Sequence, residues 1–523
     1  MQTLSYNHKT GAFIWPAANS KAEDLARSVG LTKSTTAGVW YTHDEYAALA
    51  FRKFADDTAA PKLHKIGIEY DKSWAQESTK DYPAPPGMEY HPFQRAGIEY
   101  ALERRNTLIG DQPGLGKTIQ AIGIANALRA KKVLVVCPAS VRLQWRKEIR
   151  LWSTIPRAHV YPILKGSDGF NPYAAYTIIS YDLMRNELLH KEICAQRWDL
   201  LIMDEGHYLK SVGALRTRAL FGGGEGRFKN GGVADHADRI VTLTGTPLPN
   251  RPKECYTLAR SLCWDAIDWQ SQDAFDYKYN PSNMFEERVG RLPELRARLR
   301  CNLMVRRMKR DVLPQLPPKT YELTYVDESK AIKDALKAES MLDIDPTALS
   351  GSNFAIEGEI STVRRMMGEA MAPDAVEHVR MLMDSGLDKV VVFGWHRSVL
   401  DVLEEGLSKY GLVRIDGRVS AVAKYRRVQD FRTDANIRVF LGNLQASGTG
   451  TDGLQDVCSH AVFSEASWVP GENEQCVDRL DRMGQNNGVL AQFLVATGSF
   501  AERVLSTAIR KHHTTHEALD GGN

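Results

Sequence analysis

GDQPGLGKT, Gly110–Thr118, is the stretch that decides the fold. It follows the apolar pair Leu108 and Ile109 and runs into IQAIGIANAL (Ile119–Leu128), a helix-forming run. A strand, a glycine-rich loop and a helix in that order let backbone N–H groups and a helix N-terminus cradle phosphates. Gly114 and Gly116 let the backbone come close, with Leu115 between them. Lys117 is placed to reach β/γ-phosphates and Thr118 to ligate Mg²⁺. The strict GxxxxGK[ST] spacing fails at one position, where Asp111 stands for glycine. An ordinary glycine turn before a helix is the competing reading.

Downstream lies LLIMDEGHYLK, Leu200–Lys210. Two carboxylates ending an apolar strand are unfavourable unless something binds them. Asp204 is read as a Mg²⁺ ligand, and Glu205 as the group that orients and deprotonates an attacking water. Near the other end, QCVDRLDRMGQ (Gln475–Gln485) spaces Arg479 and Arg482 three apart, which on a helix is one face. Such a pair suits arginine fingers, each worth roughly 10³–10⁵ in rate in phosphoryl transfer. Taken alone, the segment favours Asp478/Arg479 and Asp481/Arg482 ion pairs on a solvated face.

Apolar runs at 133–137, 177–180, 200–203 and 240–243, and again at 390–393, 412–415, 439–441, 461–463 and 493–495, alternate with helix-like stretches. They are not strictly alternating, as suits strands buried on both faces of a parallel sheet. The fold expected is α/β, with two parallel-sheet lobes over 85–250 and 375–510. Between them 251–374 is expected to form helical protrusions and a linker, basic around Arg288–Arg310 and broken by LPQLPPK (Leu313–Lys319). FGGGEGRFKNGG (Phe221–Gly232) is expected to be a surface loop. Residues 1–84, with Trp15, Trp40 and Trp74, read as a small N-terminal α+β module, and 511–523 as a tail.

The chain has 523 residues, more than one hydrophobic core usually organises, and a net charge of +3, too small to name a partner. No stretch is apolar enough to span a bilayer, and the first residues lack a signal-peptide pattern. Seven scattered cysteines without a CxxC pair fit no zinc site and suit a reducing, cytoplasmic compartment.

The order of these motifs resembles superfamily-two helicases, and more closely the Swi/Snf-like double-stranded DNA translocases. HPFQRAGIEYAL (His91–Leu102), VLVVCPASVRLQWRKEI (Val133–Ile149), IISYDL, LTGTP (Leu243–Pro247), VRRMKRDVLPQLPPK, RIDGRVSA and QxxxRxxRxGQ each find a counterpart there, over about 88–510. SEASWVPGENEQCVDRLDRMGQ is most similar to the HARP-type annealing helicases. The resemblance implies two RecA-like lobes closing on one ATP, with Gln94 reading adenine and Arg479 and Arg482 completing the site. It implies coupling through Thr244, Thr246 and Gln475. DNA backbone contacts would fall at Ser140, Arg142, Ser180, Tyr181, Trp395, His396, Arg397, Ser447 and Gly448, although Trp395 could equally be core.

Three departures stand out. Gly206 replaces alanine or serine, Pro113 replaces methionine, and Asp452 enters the SGTGTDGL turn, either facing ribose or capping a helix. The partner expected is double-stranded or branched DNA, with 1–84 either recognising branches or docking something else; no membrane is expected. A strand-separating helicase and a nucleotide-dependent DNA-binding switch remain alternatives. The compact chain suggests a bacterial or viral source.

Overall fold

The computed structural model describes residues 3–155, 159–223, 231–245, 255–279, 291–317, 319–342, 354–447, 451–468 and 470–506. Contacts divide the chain into two units, Met1–Val312 and Leu313–Asn523. The division falls at the start of the proline-rich LPQLPPK segment, where proline withholds the N–H groups that would continue a helix.

The first unit begins with a four-stranded antiparallel sheet: β1 (Ser5–Asn7), β2 (Ala12–Trp15), β3 (Thr32–Lys33) and β4 (Trp40–Thr42), in the order β1-β2-β4-β3. Helices Ser20–Val29 and Ala60–Lys72 cover it, the first capped by Asn19 and stopped by left-handed Gly30. This module does not close its own core. Ala297 and Cys301 of the Leu292–Asn302 helix pack among Trp15, Phe51, Leu63 and Ile66.

The larger sheet contains β5 (Asn106–Ile109), β6 (Val133–Cys137), β7 (Val160–Pro162), β8 (Tyr176–Ser180), β9 (Trp198–Asp204), β10 (Ala237–Leu243) and β11 (Met304–Val305). Their order is β11-β5-β10-β9-β6-β8-β7, and every pairing is parallel. β6 and β8 are buried along their whole length, which explains their unbroken apolar sequences. β11 arises within a segment expected to be helical. At two residues it is too short to leave a periodic signal.

The second unit holds a six-stranded parallel sheet: β12 (Lys319–Tyr325), β13 (Val390–Gly394), β14 (Leu412–Ile415), β15 (Val439–Asn443), β16 (His460–Phe463) and β17 (Val489–Val495). The order is β12-β17-β16-β13-β15-β14. β12 is an edge strand with three of its seven residues exposed and none buried, so KTYELTY lacks the apolar run that marks the others. The Phe354–Asp384 helix and the Arg397–Leu407 helix pack on this sheet around Val392, Leu403 and Leu441. The architecture is therefore two RecA-like α/β lobes with helical insertions and a small N-terminal α+β module. No helix among the described residues is long and apolar enough to cross a membrane.

Candidate active site

Register builds the site in the first unit. Ile109 of β5 pairs with Leu243 of β10, Leu243 with Asp204 of β9, and Val305 of β11 with Ile109. Four neighbouring strands thus end at one level. They release the phosphate loop, LTGTP, DEGH and Arg306–Arg307 from the same edge, the carboxyl end where parallel sheets bind ligands.

Within the loop Gly114 (φ 89°) and Gly116 (φ 70°) are left-handed, a conformation that favours glycine. Leu115 is buried as an anchor, and the Lys117–Leu128 helix starts directly after. Lys117 Nζ donates to the Asp111 carbonyl at 2.8 Å, and Thr118 is half-buried beside it. Gln94 is fully buried. Its Nε2 donates to Leu115 O at 3.3 Å and its Oε1 accepts from His91 N at 3.0 Å. The glutamine expected to read adenine therefore spans its own helix start and the phosphate loop.

Asp111, which breaks the strict spacing, is fully buried and heavily bonded. Arg307 Nε reaches its Oδ1 at 3.0 Å, Arg307 Nη2 its Oδ2 at 2.6 Å, and Gln120 Nε2 the same oxygen at 2.9 Å. A bidentate guanidinium–carboxylate pair is among the strongest polar contacts a protein makes. Arg306 Nη1 donates to Gly110 O at 2.6 Å and to Gly245 O at 3.2 Å, tying the phosphate loop to LTGTP. Gly245 leaves no room for more, since a Cβ there would stand 2.5 Å from Pro113 Cγ. The sequence carried these arginines in VRRMKRD, but nothing local assigned them to a loop almost 200 residues earlier.

Asp204 accepts from Trp145 Nε1 at 2.8 Å and from Glu205 N at 2.9 Å. Burial, and then the Glu205 charge, push its carboxyl up to about 6. Glu205 has left-handed backbone (φ 53°), strain that costs on the order of 1–3 kcal/mol and tends to persist at working sites. Its Oε2 lies 3.2 Å from His207 Nδ1. Gly206 is more than a small-for-small change, because a Cβ there would lie 2.3 Å from Thr242 Cγ2. Thr244 is fully buried and donates its N–H to Ile109 O at 3.1 Å; Thr246 lies outside the described residues.

In the second unit Arg479 and Arg482 lie beyond the Pro470–Val477 helix, in a run of tight turns rather than on the helix face expected for them. Successive i→i+3 bonds, Arg479 N to Cys476 O and Leu480 N to Val477 O, tighten the chain there. Both guanidiniums still converge on Asp452 Oδ1, Arg479 at 2.8 Å and Arg482 by a short contact. Burial pulls the Asp452 carboxyl upward, but Arg482 and Arg479 hold it down to about 2. Asp452 thus binds both arginines rather than only capping a helix. Asp478 and Asp481 pair with buried Lys319, at 3.1 and 3.7 Å, which replaces the solvated ion pairs of the bland reading. Lys424, 4% exposed, is pulled down to about 7 by burial and then by the Arg479 charge. Gln475 is half-buried on the helix just before.

The residues expected on DNA divide. Ser140 is half-buried and Arg397 exposed. Arg142 is buried, with Nη1 donating to Ile163 O at 2.7 Å and Leu164 O at 3.0 Å. Tyr181 is buried and donates to Asp204 O at 2.6 Å. Both side chains serve the lobe's interior here, not its surface. Ser180 and Ser447 are buried as well, and Gly448 lies outside the described residues. His396 Nδ1 meets Glu465 Oε1 at 2.6 Å, while Glu465 Oε2 accepts the Trp395 and His396 N–H groups. Trp395, half-buried, carries the Arg364 guanidinium 4.1 Å from its ring centroid.

A family model described as the SNF2-related domain matches residues 93–372, more than half of the chain. The chain belongs to the SNF2-related family. This SNF2-related chain is 30% identical over 449 residues to the DNA annealing helicase and endonuclease ZRANB3 of Bos taurus, covering 82% of itself and 40% of that protein. It is 31% identical over 423 residues to the SWI/SNF-related matrix-associated actin-dependent regulator of chromatin subfamily A-like protein 1 of Xenopus tropicalis, covering 79% of itself and 43% of that protein. The chain therefore spans about two fifths of the length of these relatives. Both are animal proteins and lend no support to a bacterial or viral source. A solved structure, the Sulfolobus solfataricus SWI2/SNF2 ATPase core in complex with dsDNA, aligns at 16% identity and TM-score 0.39, over 83% of this chain and 94% of that one.

Proposed function

We propose that this SNF2-related chain is a DNA-dependent ATPase that moves along double-stranded DNA and remodels or anneals branched DNA. One observation carries the reading: the register that ends β11, β5, β10 and β9 together places Lys117, Thr118, Asp204 and Glu205 on one edge. That group of residues fits Mg²⁺–ATP. Two left-handed glycines open the backbone to phosphate, and a carboxyl raised to about 6 by burial and a like charge gains from a cation beside it.

Lys117 exchanges its carbonyl partner for phosphate oxygens, and Gln94 sits behind the loop where a base edge would meet its amide. Thr118 and Asp204 would hold Mg²⁺, which when bound neutralises charge on the phosphate oxygens. Glu205, held in a strained backbone, orients the attacking water and takes its proton. Arg479 and Arg482 meet the charge that develops in the transition state; Asp452 stands in for that charge meanwhile. Arg306 carries the state of the phosphate loop to Gly245, next to Thr244, and Thr246 and Gln475 are the other coupling residues. DNA is held through its phosphates by Ser140, His396, Arg397 and the loops around them, which grips without reading sequence. Residues 1–84 contribute to the choice of branched DNA.

The test is ATP turnover at fixed low salt with no nucleic acid, single-stranded DNA, duplex, forked DNA and RNA. Low basal turnover with strong stimulation by duplex and forked DNA is expected. Stimulation by single strands or RNA alone would favour a strand-separating helicase, and none by any polymer a nucleotide switch.

A further inference from the structure

Away from the ATP site, the first unit carries a tryptophan pair of which Trp264 packs on the core and Trp269 stands outside it. Trp269 is 68% exposed, and its ring lies on Trp264 with centroids 5.3 Å apart and planes within 12°. Two consecutive non-glycine residues, Asp268 (φ 57°) and Trp269 (φ 55°), hold left-handed backbone to present it. Trp269 Nε1 is fixed by Asp265 Oδ1 at 2.8 Å. The Arg260 guanidinium lies 5.1 Å from the Trp264 ring centroid and makes no hydrogen bond or ion pair among the described residues.

Trp264 and Arg260 also line a cavity of about 570 Å³ between the Leu215–Phe221 and Tyr256–Leu262 helices. Arg218 also lines its wall, and Thr217, 3% exposed, adds a hydroxyl with no hydrogen-bond partner among the described residues. Two acids stand nearby, Asp268 beside the stack and Asp235 in the cavity wall. Asp268 faces Arg298 at 3.2 Å and Lys278 at 3.6 Å, and Asp235 accepts from Gly232 N at 2.9 Å.

We propose that this stack and cavity form a second nucleic-acid site, which takes unpaired nucleotides of a single-stranded DNA segment. An indole with an open face stacks on a base of any identity, but only where that base is not already stacked inside a duplex. Arg260 supplies the charge a phosphate needs, and the Thr217 hydroxyl a further donor. Location supports the same occupant. Arg298, paired with Asp268 beside the stack, also pairs with Asp44 of the N-terminal module, so the platform abuts the module read as choosing branched DNA. The inference rests on the proposed function in taking the polymer to be DNA and the N-terminal module to help choose branched DNA.

The test compares a blunt duplex, the same duplex with a twelve-nucleotide dT arm, and free dT12, on the full chain, Trp269→Ala and Arg260→Gln. The parent chain binds the armed duplex more tightly than the blunt one, and dT12 quenches its tryptophan fluorescence. Trp269→Ala loses about tenfold of the arm-dependent affinity. Arg260→Gln loses less and shows a shallower salt dependence. Both variants keep the parent melting temperature and blunt-duplex-stimulated turnover. Equal armed-to-blunt ratios in parent and Trp269→Ala overturn the inference, as does absence of quenching by dT12. If no DNA stimulates turnover yet the dT12 signal is present and lost in Trp269→Ala, the proposed function fails and this site stands.

Discussion

Replacing Arg307 with methionine tests what holds the phosphate loop in shape. Arg307 is 1% exposed and Asp111 fully buried, so neither charge has water to fall back on. The guanidinium makes the 3.0 and 2.6 Å bonds to the two Asp111 oxygens and a third, at 2.8 Å, to Gln120 Oε1. Methionine keeps most of the volume and deletes these three together with the guanidinium's bonds to the Phe93 and Ala75 carbonyls. The Asp111 carboxylate then keeps only the Gln120 amide and the residue-307 N–H, with no counter-charge. Breaking a buried ion pair from one side costs about 3–5 kcal/mol. The transition that unfolds the first unit in urea should lose that much. Asp111→Asn should cost less on its own, and the double variant less than the sum, because the orphaned charge is then absent. Nucleotide affinity, read with a fluorescent ATP analogue, should fall in both single variants. A loss below about 1 kcal/mol for Arg307→Met, or strict additivity in the cycle, would refute the brace.

Further expectations follow from the same geometry. Lys424 is held near 7 in the fold, against about 10.4 when unfolded, so between those values the unfolded chain binds more protons. Stability of the second unit should therefore rise by about 1.4 kcal/mol per pH unit from 7 towards 10, and Lys424→Met should flatten that rise in pH-dependent denaturation. Gly206→Ala should destabilise the first unit by about 1–3 kcal/mol through the Thr242 methyl, and Thr242→Ser should restore most of it. Asp452→Ala should lower the melting temperature of the second unit, since it leaves two buried guanidiniums facing each other; Asp452→Glu should recover part of the loss. Arg306→Gln should leave nucleotide binding within a few-fold while cutting DNA stimulation of turnover by about tenfold, because it severs the side-chain link between Gly110 and Gly245.

The sheets were legible because their strands are buried on both faces. VLVVC and VVVFG have no alternative use, and glycines at 114 and 116 with a lysine after them mark one kind of loop. Short or half-exposed strands were not legible. β11 is two residues long, and β12 alternates like a loop. The residues proposed to hold ATP stand out in the sequence by type and order; their supports do not. In the sequence Asp111 is a defect in a motif, because its partner Arg307 stands in a segment almost 200 residues away. Arg142 and Tyr181 show the opposite error. A polar side chain in a motif reads as a contact, yet only packing reveals whether it faces outward, and both point into the lobe. The arginine pair fell between these cases. Its spacing was read on a helix, but tight turns and the Asp452 carboxylate bring the two groups together.

The central claim is ATP-driven motion along duplex DNA, and displacement of a third strand from a triplex tests it most directly. The chain should release the third strand only with hydrolysable ATP and only when duplex flanks the triplex. Glu205→Gln and Arg482→Ala should each reduce the rate by at least about a thousandfold. Release at an undiminished rate in either variant, or turnover stimulated by duplex without any release, would contradict the account.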